Sequence, residues 1–442
     1  MQKLHPVDEM LPLGKLFTYG LQHVLAMYAG AVAVPLIIAN ALGLSKEQLI
    51  YLINADLFTC GIATIIQTIG FWNMGVKIPI IQGVTFAAVT PMIIIGKTHG
   101  LTGIYGSIIV AGLVTYLVSP YFSRLIRFFP PVVTGTIITI IGVTLMPVAV
   151  RWAGGGNPAA KDFASAPYIL LAFITLILVL FFYRFFTGFL SNIAVLLGLI
   201  AGTVIAGVFG MVNFSQVATA GWIGVTTPFA FGLPTFDLAS IAAMVLVMLV
   251  VMTETTGDCI AVGEIIDKPI TQQDLTRCLR ADGFSTILGG ILNSFPYTAF
   301  AQNVGLVGLT RVKSRFVVAA AGVILVVLGL FPKLAAVIAA IPVAVLGGAG
   351  IAMFGMVAAS GIKTLSRVHF DGTNNIMVVA VSMGIGMITL AVPNFYHNFP
   401  SWAQVILHSG ITAGSVAAIL LNVVLNGTEK TAEIKVDQNH YL

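Results

Sequence analysis

Hydrophobic positions along the chain fall in long runs separated by short polar stretches. A helix that crosses a bilayer takes about 20 mostly apolar residues. Runs of that kind lie near 15–41, 49–73, 100–120, 129–150, 167–184 and 187–211. In the second half they lie near 238–262, 279–297, 315–332, 335–360, 374–393 and 405–426. Two shorter, interrupted segments, near 79–96 and 298–312, bring the count to about fourteen.

One stretch departs from this pattern. Ser294 to Arg311 is broken by Pro296, carries the adjacent amides Gln302 and Asn303, and is poor in leucine. Irregular backbone at membrane depth is tolerated only where it is buried in protein or lines a wet cavity. A glycine-interrupted, amide-bearing short span points to a transporter's binding site. The plainer reading is a re-entrant or reversing loop whose amides satisfy backbone groups.

Composition narrows the class. Of 442 residues, 58% are hydrophobic and 8% charged, with a mean hydropathy of +1.01, against roughly 25% charged in soluble chains. This is the composition of a polytopic membrane protein with closely packed, glycine-rich helices. Cys60, Cys259 and Cys278 lack CxxC spacing and read as small core residues. No basic run is interleaved with aromatics, so the net charge of +5 does not indicate nucleic-acid binding. The polar start followed by a full-length span reads as a first helix without a signal peptide.

The cations indicate orientation. With a cytoplasmic N-terminus, sixteen of the 21 Lys and Arg fall on the inner side. Five, Lys46, Lys97, Arg151, Lys161 and Lys333, fall on the outer side. Both termini are then cytoplasmic, and both weak segments must be counted to keep the split. The halves also echo each other. Each begins with a polar-bearing span (Gln22 and His23; Glu254 and Asp258), has a short amide-bearing third segment (around Gln82 and around Gln302), and has a fifth span opening at a proline, Pro131 or Pro342. Seven spans per half is an odd number, so the second copy is expected to be inverted, with a site between half-helices at the midplane.

Most of the sixteen carboxylates lie in loops or tails, and Asp56 reads as shallow in the second span. Glu254, Asp258 and Asp282 remain in or at the edges of spans flanking the odd stretch. An ionisable group there costs at least about 2.5–3.5 kcal/mol and is a functional-site hypothesis by default. Glu254 and Asp258, four residues apart, share a helix face. Two carboxylates on one low-dielectric cavity do not ionise together cheaply, which suits proton coupling. A hydrogen-bonded structural acid is the alternative, and for Asp258 and Asp282 the two readings balance. His23, mid-span, reads as a structural hydrogen-bonder with an unidentified partner. Gln302 presents a donor and an acceptor on one plane, suited to a heterocycle with adjacent N–H and C=O. Phe86 could stack on a flat ring, although packing is the commoner role of a span aromatic. Catalytic, metal and nucleotide motifs are absent, so no enzyme activity, metal or cofactor is expected.

The run Gln302-Asn303-x-Gly305-x-x-x-x-Thr310-Arg311 resembles the signature of the nucleobase–ascorbate transporter family. The likeness extends through Gly20-Leu-Gln-His23, Thr253-Glu254-Thr-Thr-Gly-Asp258 and Arg280-Ala-Asp282-Gly283, and covers nearly the whole chain. It implies an all-α, seven-plus-seven inverted-repeat fold with short strands and half-helices at segments 3 and 10. The core domain would comprise 15–120 and 238–332, the gate domain 129–211 and 335–426, and a cytoplasmic tail 427–442, with a homodimer formed through the gates. By position, Glu254 and Gln302 look like the pair that holds a purine. Asn303, Asp258, Asp282 and His23 look like supporting or coupling residues, and Phe86 looks like the stacking aromatic. Within the family the chain most resembles bacterial xanthine and uric acid permeases. Thr85 and Ser409 stand where some xanthine-selective members carry Asn, and with Arg311 are more like the urate branch, although other xanthine permeases also carry Thr at the first position.

The expectation is a proton-coupled symporter for an oxidised purine in the inner membrane. A uracil or other nucleobase permease, and an anion carrier of sulfate or bicarbonate type on the same fold, are the alternatives. An intramembrane enzyme would need a nucleophile–base pair or metal cluster, and a channel would need a repeated pore ring; the sequence offers neither.

Overall fold

The computed structural model describes residues 5–427. The expected tail, apart from Gly427, lies outside the described residues. Fifteen helices concern the argument. The first half holds α1 (Leu13–Leu42), α2 (Lys46–Ile69), α3 (Val89–Val118), α4 (Pro131–Ala153), α5 (Ala166–Phe185) and α6 (Ala194–Val208). The second holds α7 (Leu238–Ile265), α8 (Gln272–Ile291), α9 (Ala301–Thr310), α10 (Arg315–Gly329), α11 (Pro332–Ala339), α12 (Val343–Leu365), α13 (Asn375–Ala391), α14 (Ser401–Leu407) and α15 (Gly410–Asn426). Two short strands, β1 (Gln82–Val84) and β2 (Tyr297–Ala299), interrupt the helical order.

Among the described residues seven helices are long and apolar enough to cross a membrane, or eight if α10 and α11, bent by 82°, form one span. The segments near 79–96 and 100–120 run together as α3, but Gly100 breaks the helix with φ 69° and ψ −172°, a conformation that glycine adopts at little cost. Several expected boundaries move. The ninth span starts at Gln272, because a Thr271/Asp274 capping box nucleates a polar first turn that hydropathy does not register. The twelfth starts at Val343 rather than 335, since α11 occupies the preceding residues. The last is broken at His408–Ser409 into α14 and α15.

Close packing follows the glycines. α2 lies along α10 where Gly61 meets the backbone of Gly322, and α3 lies along α8 where Gly112 meets Gly283. α4 and α12 meet at Gly142 against Ala358 and at Gly361 against Thr139. A side chain at any of these glycines would overlap backbone, so residue size sets the helix separation. α5 turns Ile169, Leu170, Phe173, Ile177, Leu180 and Phe181 outward, a surface suited to lipid or to another protein face.

Candidate substrate and coupling site

β1 and β2 cross antiparallel at the centre, Gln82 opposite Ala299, Gly83 opposite Thr298 and Val84 opposite Tyr297. The ladder extends through Thr85 N–H to the Pro296 carbonyl at 2.9 Å and Phe300 N–H to the Ile81 carbonyl at 3.2 Å. Pro79 and Pro296 prevent helix here, and backbone groups away from water must then pair with something. They pair with each other. The Phe300 ring fills the space beside Gly30 and Gly83, where a Cβ would collide with it.

A helix start follows each strand. Thr85 caps the short turn Phe86–Ala88, its hydroxyl accepting from Ala87 N–H at 3.2 Å, and α3 follows. α9 begins after Phe300 with no side-chain cap, so its first N–H groups point out of the helix with the positive end of its dipole. Gln302 lies on the exposed face of this first turn, while Asn303 is buried.

α7 brings the acids to this crossing. The Thr255 hydroxyl accepts from Ala299 N–H and faces the Thr298 hydroxyl, both at 3.2 Å, so α7 is stitched to β2. Glu254, half-buried, is the preceding residue. α7 also packs against α9. Asp258 lies within electrostatic reach of Glu254 and Asp282, with one buried oxygen unpartnered. Asp282, wholly buried on α8, accepts from the Gln67 amide at 3.3 Å through Oδ1, while Oδ2 has no partner among the described residues. The Gln82 side chain lies beside the same carboxylate, its own buried amide without a hydrogen bond of good geometry.

His23 has a partner after all. The Asn303 amide donates to the His23 carbonyl at 2.9 Å and contacts its Nδ1 at 3.1 Å, tying α1 to α9. Other candidates are engaged locally. Phe86 packs edge-to-face on Phe354 of α12, centroids 5.9 Å apart. The Ser409 hydroxyl caps α15, accepting from Thr412 N–H at 3.2 Å and from the Thr412 hydroxyl at 2.8 Å.

Sequence reasoning missed three residues. Gln67 and Gln82 are amides that only the fold places beside Asp282. Asp56, read as shallow in its span, is wholly buried in the fold. Its Oδ1 accepts from the Ser294 and Tyr297 hydroxyls, each at 3.1 Å, and those hydroxyls are 2.7 Å apart. Serine and tyrosine in the odd stretch, three residues apart, were the available signal.

A cavity of about 1270 Å³ opens at one end of the molecule, lined by α3, α4, the start of α7 and the 389–410 region. Its wall reaches Thr90, just beyond the Phe86 turn, and Gly410, next to Ser409.

Comparisons with known proteins identify the family and the fold. The family model described as Permease family (Xan_ur_permease) matches residues 14–395. The uric acid transporter UacT of Escherichia coli K12 is 46% identical over 434 residues, 97% of this chain and 89% of that protein. The xanthine permease of Bacillus subtilis is 46% identical over 96% of each chain, and the uric acid permease PucK of the same organism is 47% identical over 95% and 98%. Among solved structures, the transmembrane domain of the cyanobacterial bicarbonate transporter BicA superposes with a TM-score of 0.64 at 17% identity, covering 93% of this chain and all of that one. SLC26A9 gives 0.59 at 12% identity over 94% of this chain and 66% of its own. At such identities the likeness is one of fold alone. The chain belongs to the Xan_ur_permease family, the nucleobase–ascorbate transporters, and is a multi-pass membrane permease and not an enzyme.

Proposed function

We propose that this permease imports an oxidised purine, uric acid or xanthine, across the cytoplasmic membrane together with a proton. The observation that carries the reading is the convergence at one strand crossing of α7 with Glu254 and the uncapped start of α9 with Gln302. A planar ring bearing N–H and C=O groups finds an acceptor on the carboxylate and a donor–acceptor pair on the amide. Asp258 and Asp282 stand behind Glu254 and lower the cost of a proton shared among them. The names of the relatives support the purine class.

The repeat is read as inverted. The pairing of α2 with α10 is matched by that of α8 with α3, and the antiparallel strands have their midpoint at Gly83 and Thr298. On that reading α1–α3 and α7–α10 form the core and α4–α6 and α12–α15 the gate, against which the core moves. Both termini are cytoplasmic. The apolar outer face of α5 is available to lipid and to a second copy.

The test is radiolabelled uptake of xanthine, urate, uracil and sulfate, with and without a protonophore. Urate or xanthine should accumulate and the protonophore should abolish it; preference for sulfate would favour the anion-carrier alternative. Glu254→Gln should lose pH-gradient-driven accumulation, and Gln302→Ala should lose purine uptake while still reaching the membrane. Full accumulation by the first variant overturns the coupling assignment.

A further inference from the structure

We propose that the mouth of the 1270 Å³ cavity is an electrostatic capture site for the anionic form of the substrate, formed by Lys97 and Arg151 with His99 and His408. The inference rests on the purine reading and on the orientation given by the charge split. The outer side carries five Lys and Arg, and two of them line this cavity. They come from different elements, Lys97 from the outer part of α3 just before the Gly100 break and Arg151 from the last turn of α4. Lys97, Arg151 and His99 are exposed. His408 sits deeper and has a buried, unpartnered Nε2. The lining includes a single acid, Asp237, and its carboxylate is already engaged. Its Oδ2 accepts from both Ser240 N–H and the Ser240 hydroxyl at 2.8 Å as the cap of α7. That carboxylate keeps its charge and acts on His99, so the fixed charges of the lining, Lys97 and Arg151 against Asp237, leave one net positive charge at the mouth.

The position of the cations matters as much as their sign. From the mouth the wall runs inward to Thr90 and Gly410, the neighbours of the Phe86 turn and of Ser409. An oxidised purine with acidic ring N–H groups exists partly or wholly as a monoanion at neutral pH. A cleft of one sign with low-dielectric walls raises the local concentration and arrival rate of such an ion, and salt screens the effect over about 10 Å at 0.1 M. A neutral purine of the same shape gains nothing. The cavity mouth thus discriminates by charge, at a place separate from Glu254 and Gln302, which are not among its lining residues.

The test is initial-rate uptake of urate and of neutral hypoxanthine at low and high ionic strength, comparing wild type with Lys97→Gln/Arg151→Gln. The urate KM of the wild type should rise with salt. At low salt the double variant should raise it about tenfold, the low end of the range for electrostatic steering, with kcat unchanged and the salt dependence gone. Hypoxanthine kinetics, or its competition against urate, should not move. Lys97→Arg/Arg151→Lys should restore wild-type behaviour, which separates loss of charge from loss of fold. A urate KM indifferent to salt in the wild type, or equal effects on both purines, overturns the capture site alone. A wild type that carries no purine overturns the transport reading as well.

Discussion

Asp56 and Asp282 are each the eleventh residue of a helix that opens with a capping box, α2 and α8. Each leans on the other half of the chain. Asp56 meets Tyr297, the first residue of β2; Asp282 lies beside Gln82, the first residue of β1. Their surroundings differ. Oδ1 of Asp56 lies 3.1 Å from two hydroxyls that are 2.7 Å from each other, and the nearby titratable groups are Cys60 and Tyr297. Oδ1 of Asp282 has one long amide contact from Gln67, the Thr255 and Gln82 side chains lie beside the same carboxylate, and Glu254 and Asp258 are within electrostatic reach. The comparison teaches that one position in a shared scaffold serves as a lock where its donors are committed. On the proposed reading, where further acids gather about it the same position serves the transported charge.

The largest expected effect tests the second half of that statement. Asp282→Asn should cut proton-driven uptake at least about tenfold, a loss of about 1.4 kcal/mol in transition-state terms, with detergent melting nearly unchanged. A variant that melts early and still transports would reverse the two roles. Next, Asp56→Ala should lower the melting temperature, since removing a buried acceptor from its hydroxyl donors costs about 1–3 kcal/mol, while uptake per folded molecule is kept. Tyr297→Phe should do the same more weakly, by about 0.5–1.5 kcal/mol. Loss of uptake in Asp56→Asn without any change in melting would break the comparison. The smallest effect is a control remote from both clusters. Asp237 is held below the usual carboxylate range, chiefly by Ser240 N–H, so its cap is intact at neutral pH and is lost as pH falls through that lowered value. Asp237→Ala should cost about 0.5 kcal/mol, a difference that closes in acid.

Much of this was legible in the chain. Hydropathy marked the apolar spans because the bilayer imposes a length on them, and Pro296 with its following amides marked the crossing because helix cannot pass there. Glu254, Asp258 and Asp282 stood out because charge is rare inside such spans. What the sequence withheld was pairing. Gln67 and Asp282 are 215 positions apart and Asp56 and Tyr297 are 241, and nothing local joins them. The burial of Asp56 was not legible because position along a helix does not show what packs over it: α8, α10 and β1 close over α2. The capping roles of the Thr85 and Ser409 hydroxyls were not legible because capping depends on where a helix begins, which hydropathy does not tell. The polar first turn of α8 was lost for the same reason.

Phe300 occupies a socket that only two hydrogen-bearing α-carbons, those of Gly30 and Gly83, leave open. A rigid disc seated between the first helix and one strand, and carried on the end of the other, leaves that junction no room to hinge. Contact through that ring therefore ties α1 and β1 to the start of α9.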